Sequence, residues 1–284
     1  MTEPHRLDAP LGVFDSGVGG LSVLRAIRRE LPGVPAIYVA DRAHVPYGPR
    51  PLPEVRAFSE GIARYLIARG ARVVVVACNA ASAGALHYLR EILPEVPFVG
   101  MEPAVKPAAE TTRTGKVGVL ATPATFQGAL FASVVERFAN GVELLTHTCP
   151  GLVARIEAGD LDGPETAAIL EGALRPMLAA GIDTVVLGCT HYPFVIPLIE
   201  RIAGPGVRVI DPAPAVARQA ARVLAQAAPE AAAPGSSADE ASVRYLTSAD
   251  SNGLSALLPL LIGERRPVGR VRWSATGRLE DAPA

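Results

Sequence analysis

Two cysteines follow short apolar segments in matching surroundings. Cys78 comes after RVVVVA and before an Asn-Ala pair, and Cys189 comes after TVVLG and before a Thr-His pair. A single cysteine in such a place is often a small buried hydrophobe. A matched pair favours chemistry, because inverting a stereocentre next to a carboxylate requires an acid/base group on each face of the carbon. Thiol and thiolate are both accessible near neutral pH, so we expect this pair to move protons.

A short polar and glycine-rich segment follows the first apolar run of the chain. Asp15 and Ser16 end LGVFDS and precede GVGG. A turn of this kind could hold a phosphate, but the segment has neither the GxGxxG spacing nor the lysine of a P-loop. We therefore interpret Asp15 as an acid positioned near a thiol.

His191 stands two residues after Cys189. It could serve only as a helix cap, but beside a cysteine at a strand end a histidine can exchange protons or raise the thiolate fraction. Both cysteines are expected at helix N-termini, where the helix dipole would lower their pKa from about 8.5 toward neutrality. Cys149 has no counterpart of this kind and is interpreted as structural.

Runs rich in Val and Ile alternate with segments of helical periodicity. The apolar runs are LGVF, AIYVA, RVVVVA, VPFVG, KVGVLA, VELLT, TVVLG and VRVI. Between them, LSVLRAIRREL and two longer segments that end at Gly70 and Gly181 are typical of amphipathic helices with glycine caps. This alternation predicts an α/β fold with buried parallel strands.

The two halves of the chain resemble each other. IARGARVVVVACNAAS and LAAGIDTVVLGCTHYP place Cys78 and Cys189 111 residues apart, and the acid-Pro pairs at 102–103 and 211–212 are 109 residues apart. The repeat predicts two pseudo-symmetric three-layer α/β domains with mainly parallel sheets and the active site in the cleft between them.

We expect the chain to cross between domains at the two acid-Pro pairs. Residues 1–101 and 211–284 would form the first domain, with Cys78, and residues 102–210 the second, with Cys189. Within the first domain, residues 227–240 are rich in Ala, Pro and Ser and predict a mobile loop. A strand and a helix follow, and ATGRLEDAPA at the end is expected to be frayed.

Composition excludes several classes of function. Lys and Arg total 27 against 28 Asp and Glu, so the net charge of −1 gives no electrostatic footprint for nucleic acid or an anionic membrane. Three cysteines without a CxxC pair suggest free thiols and neither a disulfide framework nor a metal site. The first ten residues lack the apolar stretch of a signal peptide, and no uncharged stretch is long enough to span a membrane. We expect a cytoplasmic protein with a small-molecule partner.

The sequence strongly resembles the glutamate racemases of the aspartate/glutamate racemase superfamily. The resemblance rests on LGVFDSGVGGLSVLRAI, YVADRAHVPYGPRP, VVVVACNAAS, VGVLATPATF, CPGLVARIEAG, VVLGCTHYP and a terminal TSAD segment, in family order over nearly the whole chain. It implies an isomerase that needs no cofactor and interconverts L- and D-glutamate by two-base proton transfer at the α carbon. It also implies a supply of D-glutamate for peptidoglycan synthesis, and thus for cell wall biogenesis and cell shape. A homodimer is expected.

The resemblance assigns roles to individual residues. Cys78 would handle the proton on the D side and Cys189 the proton on the L side, assisted by Asp15 and His191, and Glu157 matches a third acidic position of the family's active site. Hydroxyls, amides and turn N–H groups can hold two carboxylates without a cofactor. The residues expected to contact the substrate are Ser16, Pro46, Tyr47, Gly48, Asn79, Ala80 and Thr190, with Thr122 and Thr125 as further candidates.

Ala80 departs from the family, which usually has Cys-Asn-Thr where this chain has Cys-Asn-Ala. The change removes a hydroxyl expected at the substrate and bears on affinity or substrate choice. An aspartate racemase is one alternative, but those enzymes resemble Cys-Thr-Glu at the second motif, where this chain has Cys-Thr-His. One-cysteine decarboxylases fit less well. A binding protein without activity is favoured by Ala80 and opposed by the retention of both thiols.

Overall fold

The computed structural model describes residues 11–232 and 242–283. Its strands are β1 (Leu11–Asp15), β2 (Ala36–Ala40), β3 (Val73–Val76), β4 (Phe98–Val99), β5 (Lys116–Ala121), β6 (Glu143–His147), β7 (Thr184–Gly188), β8 (Arg208–Ile210), β9 (Val243–Thr247), β10 (Val268–Trp273) and β11 (Leu279–Asp281). Its α-helices are α1 (Leu21–Glu30), α2 (Leu52–Ala68), α3 (Asn79–Ile92), α4 (Val105–Thr111), α5 (Pro123–Gln127), α6 (Ala129–Phe138), α7 (Leu152–Glu157), α8 (Pro164–Ala179), α9 (Ile196–Ala203), α10 (Ala213–Ala227), α11 (Pro229–Ala232) and α12 (Ser251–Ile262).

The larger sheet has seven strands in the order β11-β10-β9-β2-β1-β3-β4. Its neighbouring strands are parallel except β10 and β11, which are antiparallel. Leu11 of β1 lies opposite Ala36 on one side and Val73 on the other. Every residue of β1, β2 and β3 is buried. Burial on both faces explains why these strands are continuous apolar runs and not alternating patterns.

The smaller sheet repeats the central part of the larger one. Its order is β6-β5-β7-β8, which matches β2-β1-β3-β4 strand for strand, and all its pairs are parallel. Cys78 follows β3 and Cys189 follows β7, so the two cysteines come after equivalent strands. The predicted α/β class with mainly parallel sheets is confirmed.

Helices cover both faces of each sheet. In the larger sheet, Val13 packs into a core with α1, α10 and α12, whereas Phe14 packs into a second core with α2 and α3. In the smaller sheet, Val185 faces α8 and α9, and Val186 faces α4 and α6. The core under α1 and α10 is continuous with the core under α8 and α9, so the two halves share apolar packing.

The predicted ends of two long helices agree with the structure. Gly70 and Gly181 lie two residues beyond the last helical residue of α2 and α8, with φ of 93° and 89°. Glycine adopts this left-handed conformation without the steric penalty that a Cβ atom brings.

Two expectations about the C-terminal part differ from the structure. The predicted loop at 227–240 is wrong in its first part, where Ala227 ends α10 and Pro229–Ala232 form α11, and its residues from 233 onward lie outside the described residues, as do residues 1–10. The segment expected to be frayed contains β11, which pairs with β10 from Leu279 opposite Trp273 to Asp281 opposite Val271. Leu279 is buried against the α2 side of the sheet, and this burial orders the segment. In the two described ranges, no helix combines the length and apolarity needed to cross a membrane.

Candidate active site

The two thiols lie at the carboxyl ends of equivalent central strands. Cys78 is the N-cap residue of α3, and Cys189 follows β7 and precedes a 3₁₀ turn at Tyr192–Val195. Cys78 therefore lies at a helix N-terminus as expected, whereas Thr190 and His191 separate Cys189 from its helical turn. The thiol residues are only 4% and 5% exposed, so both thiols are shielded from solvent.

Cys78 belongs to a short hydrogen-bonded chain with Ser16 and Asp15. Its thiol donates to Ser16 Oγ at 3.7 Å, and Ser16 Oγ donates to Asp15 Oδ1 at 3.1 Å. Asp15 Oδ1 also accepts from the Ser16 backbone N–H at 2.5 Å, and Oδ2 accepts from the Gly20 N–H. Asp15 thus reaches the thiol through the hydroxyl of Ser16.

Cys189 belongs to an equivalent chain with His191 and Glu157. Its sulfur lies 3.8 Å from His191 Nδ1, and His191 Nε2 lies 2.7 Å from Glu157 Oε1. The same Glu157 oxygen accepts from the Val18 N–H at 2.7 Å. In each of these chains the thiol contacts one polar side chain, which in turn contacts one carboxylate.

Thr190, which lies between Cys189 and His191 in the sequence, connects the two hydrogen-bonded chains. Its hydroxyl donates to Asp15 Oδ2 at 3.2 Å, and its carbonyl accepts from Ser22 Oγ at 2.9 Å. Because Glu157 also bonds the Val18 N–H, both carboxylates have partners from both halves. The structure thus brings together all five residues assigned to catalysis.

Burial governs the protonation of Cys78. Removal from water, followed by the negative charge of Asp15, raises the pKa of Cys78 well above its ordinary value, and hydrogen bonds from Ala81 and Ser16 lower it by less. The expectation that the helix N-terminus brings this pKa toward neutrality is wrong, because desolvation outweighs the dipole. The raised pKa favours the thiol form of Cys78, which is the form that can deliver a proton.

His191 and Glu157 form a charged pair. Burial lowers the pKa of His191, but hydrogen bonds to Cys189 and Glu157 raise it by more, so it lies well above the ordinary value. Burial likewise raises the pKa of Glu157, and its bonds to His191 and Val18 lower it by more. A charged His191 donates from both ring nitrogens, one toward the Cys189 sulfur and the other toward Glu157.

This pair predicts a pH-dependent contribution to stability. A histidine whose pKa is raised by folding stabilises the protein fully below its unfolded pKa of about 6.5, and this stabilisation is lost as the pH rises through the folded pKa. The difference in unfolding free energy between wild type and His191→Gln should therefore shrink from about pH 6.5 upward, as measured by urea denaturation. His87, whose side chain is 90% exposed, supplies the control variant His87→Gln, which should show no such trend. A His191→Gln difference that grows with pH would contradict the pairing.

Asn79 has an unusual environment for a buried amide. It is 3% exposed, and within the described part of the chain neither its amide nitrogen nor its amide oxygen has a hydrogen-bond partner. An unsatisfied buried polar group costs about 1–3 kcal/mol. Its position directly after Cys78 makes it available to a polar ligand beside the thiol.

The loop with Pro46, Tyr47 and Gly48 closes one side of the site. The Val45–Pro46 peptide bond is cis, Pro46 is exposed, and Tyr47 is buried with its hydroxyl donating to Asp41 Oδ2 at 2.6 Å. A Cβ atom on Gly48 would lie 3.1 Å from Thr122 Cβ, so this loop approaches the end of β5 closely.

Thr122 and Thr125 follow β5, which is the strand of the smaller sheet equivalent to β1. Thr122 caps α5 by accepting from the Thr125 N–H, and the two hydroxyls are 3.0 Å apart. Thr125 Oγ1 donates to the carbonyl of Gly188, the residue before Cys189, at 3.4 Å. The structure thus places the two threonines beside the second thiol's strand.

Three further residues, not predicted from the sequence, form hydrogen bonds with residues of the site. Tyr38 is fully buried and donates to the Gly17 carbonyl at 2.9 Å, and Asp41 accepts from Tyr47. Arg42 donates to Glu157, 115 positions away in the chain. Tyr38 lies within an apolar run, and nothing in the sequence pairs Arg42 with Glu157, so only the fold reveals these contacts.

Comparison with known proteins relates most of the chain to one family. The family model for Asp/Glu/hydantoin racemases matches residues 11–220. The glutamate racemase of Pseudomonas paraeruginosa is 52% identical over 263 residues, which are 93% of this chain and 97% of that protein. The Escherichia coli glutamate racemase, solved with L-glutamate, has a TM-score of 0.80 and 34% identity, covering 93% of this chain and 98% of that one. The Francisella tularensis glutamate racemase, solved with D-glutamate, has a TM-score of 0.78 and 26% identity, covering 94% and 98%.

Proposed function

The chain belongs to the glutamate racemases of the Asp/Glu/hydantoin racemase family and is an isomerase. On that premise we propose that one of the thiols of Cys78 and Cys189 removes the α-proton of glutamate and the other delivers a proton to the opposite face. The observation that carries the proposal is the equivalence of the two thiols, each after the same strand of a repeated sheet and each backed by a polar residue and a carboxylate. Two such groups supply the acid and the base that inversion requires.

In the direction from L- to D-glutamate, Cys189 is the proposed base and Cys78 the proposed acid. The Cys189 thiolate takes the α-proton from L-glutamate, the electron pair of the broken C–H bond delocalises into the α-carboxylate, and the Cys78 thiol delivers its proton to the opposite face. Burial keeps the pKa of Cys78 high, which supports its role as the proton donor. After one turnover Cys189 carries a proton and Cys78 lacks one. Exchange of these two protons with solvent restores the starting state, and His191 and Ser16 are the side chains hydrogen-bonded to the two sulfurs.

Substrate recognition is proposed to rest on polar groups around the thiols. Asn79 is the strongest candidate, because its unpartnered amide can bind both a carboxylate and an ammonium group. Ser16 and Thr190 hydroxyls, with the Tyr47–Gly48 loop and the two threonines opposite it, are proposed to complete the site. The relatives solved with L-glutamate and with D-glutamate support glutamate as the substrate.

The direct test is optical. The purified protein without pyridoxal phosphate is incubated with L-glutamate and, separately, with L-aspartate, and the circular dichroism of each amino acid is followed. We expect the glutamate signal to decay to zero and the aspartate signal to persist. Decay with aspartate alone would assign the protein to a sister activity, and no decay with either would favour a binding protein without activity.

Ala80 gives a test of the substrate contacts. It is buried in the first turn of α3, and the nearby Ser82 hydroxyl is already engaged, donating to Val76 O at 3.1 Å and accepting from Met101 N at 2.9 Å. Ser82 therefore does not replace the missing hydroxyl. Ala80→Thr should restore a hydrogen bond to a charged group, worth about 1.5–3 kcal/mol, and lower the KM for glutamate at least several-fold.

The matched control for this prediction is Ala80→Val, which adds the same volume without a hydroxyl. We expect valine to leave the KM unchanged or to raise it. If threonine did not lower the KM, or if valine lowered it equally, the site would have been rebuilt around alanine and a different substrate would be favoured.

The domain boundaries and the cellular setting are also part of the proposal. We propose one domain from residues 1–101 and 211–284 and a second from 102–210. In support, every strand of the larger sheet lies within the first set of residues and every strand of the smaller sheet within the second. We further propose that the enzyme acts in the cytoplasm as a homodimer and supplies D-glutamate for peptidoglycan synthesis. Light scattering of the purified protein tests the dimer, and a monomer at micromolar concentration would contradict it.

A further inference from the structure

The carboxylate of Glu157 is held from three directions. Oε1 accepts from Val18 N–H and lies 2.7 Å from His191 Nε2, whereas Oε2 accepts from Arg42 Nε at 3.0 Å. Arg42 Nη2 also donates to the backbone carbonyl of Glu157 at 3.4 Å. Arg42 comes from the loop after β2, and Glu157 is the last residue of α7. The guanidinium of Arg42 therefore bonds both the Glu157 side chain and the backbone at the end of α7.

The Arg42–Glu157 pair is largely removed from water. The two side chains are 17% and 10% exposed. The terminal torsion of a glutamate side chain is broad, so a carboxylate held at one oxygen alone is free to turn. The Arg42 bond fixes the second oxygen and thereby the direction in which Oε1 faces His191. Removing one partner of a buried ion pair also leaves an uncompensated charge, which favours rearrangement of the other.

We propose that Arg42 is a positioning residue for proton transfer at Cys189, acting through Glu157 and His191. This inference rests on the proposed two-cysteine racemisation. Arg42 lies at the end of the chain Cys189–His191–Glu157, and in the described contacts its charged group bonds neither thiol. Its loss should therefore weaken the Cys189 side of the reaction and leave the chain Cys78–Ser16–Asp15 in place.

A defect confined to one side has a kinetic signature. The two enantiomers have equal free energies, so kcat/KM must fall equally in both directions. The α-deuterium isotope effect does not stay symmetric. When transfer at Cys189 slows, breaking the C–H bond of L-glutamate becomes more rate-limiting and its isotope effect rises. From D-glutamate, the isotope-sensitive step at Cys78 becomes less limiting and its isotope effect falls.

The experiment compares Arg42→Met, Arg42→Lys and wild type with L- and D-glutamate labelled with deuterium at the α carbon. Methionine keeps an unbranched stem without donors or charge. We expect Arg42→Met to lower kcat/KM by about 10–100-fold, the loss that follows a small displacement of a reacting group. The ratio of the L to the D isotope effect should rise. Lysine restores the charge but not the planar fork, so we expect it to recover part of both the rate and the ratio.

The control is Arg28→Met. Arg28 pairs with Glu264, each side chain is 21% exposed, and among the described contacts neither residue hydrogen-bonds a member of the two thiol chains. This variant should keep the wild-type isotope ratio. An unchanged ratio in Arg42→Met, or a shift in the opposite direction, would overturn the role of Arg42 even if its rate falls. If wild type racemises glutamate and depends on both cysteines while Arg42→Met behaves like wild type, this inference alone fails. A wild-type protein without racemisation would overturn the proposed function together with it.

Discussion

Serine in place of Cys78 or of Cys189 is expected to lower racemisation by about 10²–10⁴-fold, the usual contribution of a positioned general acid or base. A hydroxyl has nearly the size of a thiol, but it ionises far less readily, so the site keeps its shape and loses its chemistry. In the proposed reaction each thiol serves one face of the substrate, so neither can replace the other. Circular dichroism of glutamate measures the rate, and the far-ultraviolet spectrum checks the fold.

The control for both variants is Cys149→Ala. Cys149 is buried, and burial raises its pKa to about 12. In the described structure it belongs to neither chain of the site. We expect this variant to keep activity near that of wild type. Near-full turnover in Cys78→Ser or in Cys189→Ser would refute the two-base scheme for this protein.

Gly19→Ala is also expected to disrupt the site, although Gly19 carries no catalytic group. A Cβ atom at this position would lie 2.6 Å from Thr190 Oγ1 and 2.7 Å from Asp15 Oδ2, and it would also clash with the His191 ring. Asp15 and His191 belong to the two hydrogen-bonded thiol chains, and Thr190 is hydrogen-bonded to Asp15. Because their hydrogen bonds fix them, the added methyl group cannot be accommodated without breaking at least one bond.

The expected cost of Gly19→Ala is about 1–3 kcal/mol of stability, the usual range for overpacking a buried site. Activity should fall about 100-fold, because displacing catalytic groups by about 1 Å has effects of this size. Gly33→Ala is the control, since a Cβ atom there would meet nothing within 4 Å. Urea denaturation and the glutamate assay measure both effects. A Gly19→Ala enzyme with full activity would mean that the halves do not meet through this loop during turnover.

The sequence predicted the fold class because the apolar runs of a doubly covered parallel sheet are long and uniform. It also predicted the repeat, since equal surroundings for Cys78 and Cys189 reflect equivalent strands. It did not predict the C-terminal hairpin of β10 and β11, because VGRVRW mixes charged and apolar residues and the strand is partly exposed. The short helix α11 was missed for a related reason, since its Ala-Pro composition is also typical of loops.

The site was predictable where a residue adjoins a thiol or ends a strand. Asp15 and His191 were found in this way, and the family resemblance added Glu157. Arg42 and Tyr38 were not found, because their contacts join residues far apart in the chain. The protonation of Cys78 was predicted in the wrong direction. The helix position is visible in the sequence, whereas the extent of burial and the charge of Asp15 beside the thiol depend on the closed fold.

The use of two thiols, one on each face of the substrate, is tested most directly by the origin of the α-proton in the product. L-Glutamate is racemised in D₂O, and early samples are separated by enantiomer and analysed for deuterium at the α carbon. The two-base account predicts that the first D-glutamate formed carries solvent deuterium, delivered by Cys78, while the remaining L-glutamate keeps its original proton. Early D-glutamate that retains the original proton would show that one group serves both faces, and would contradict the assignment of Cys78 and Cys189 to opposite sides of the substrate.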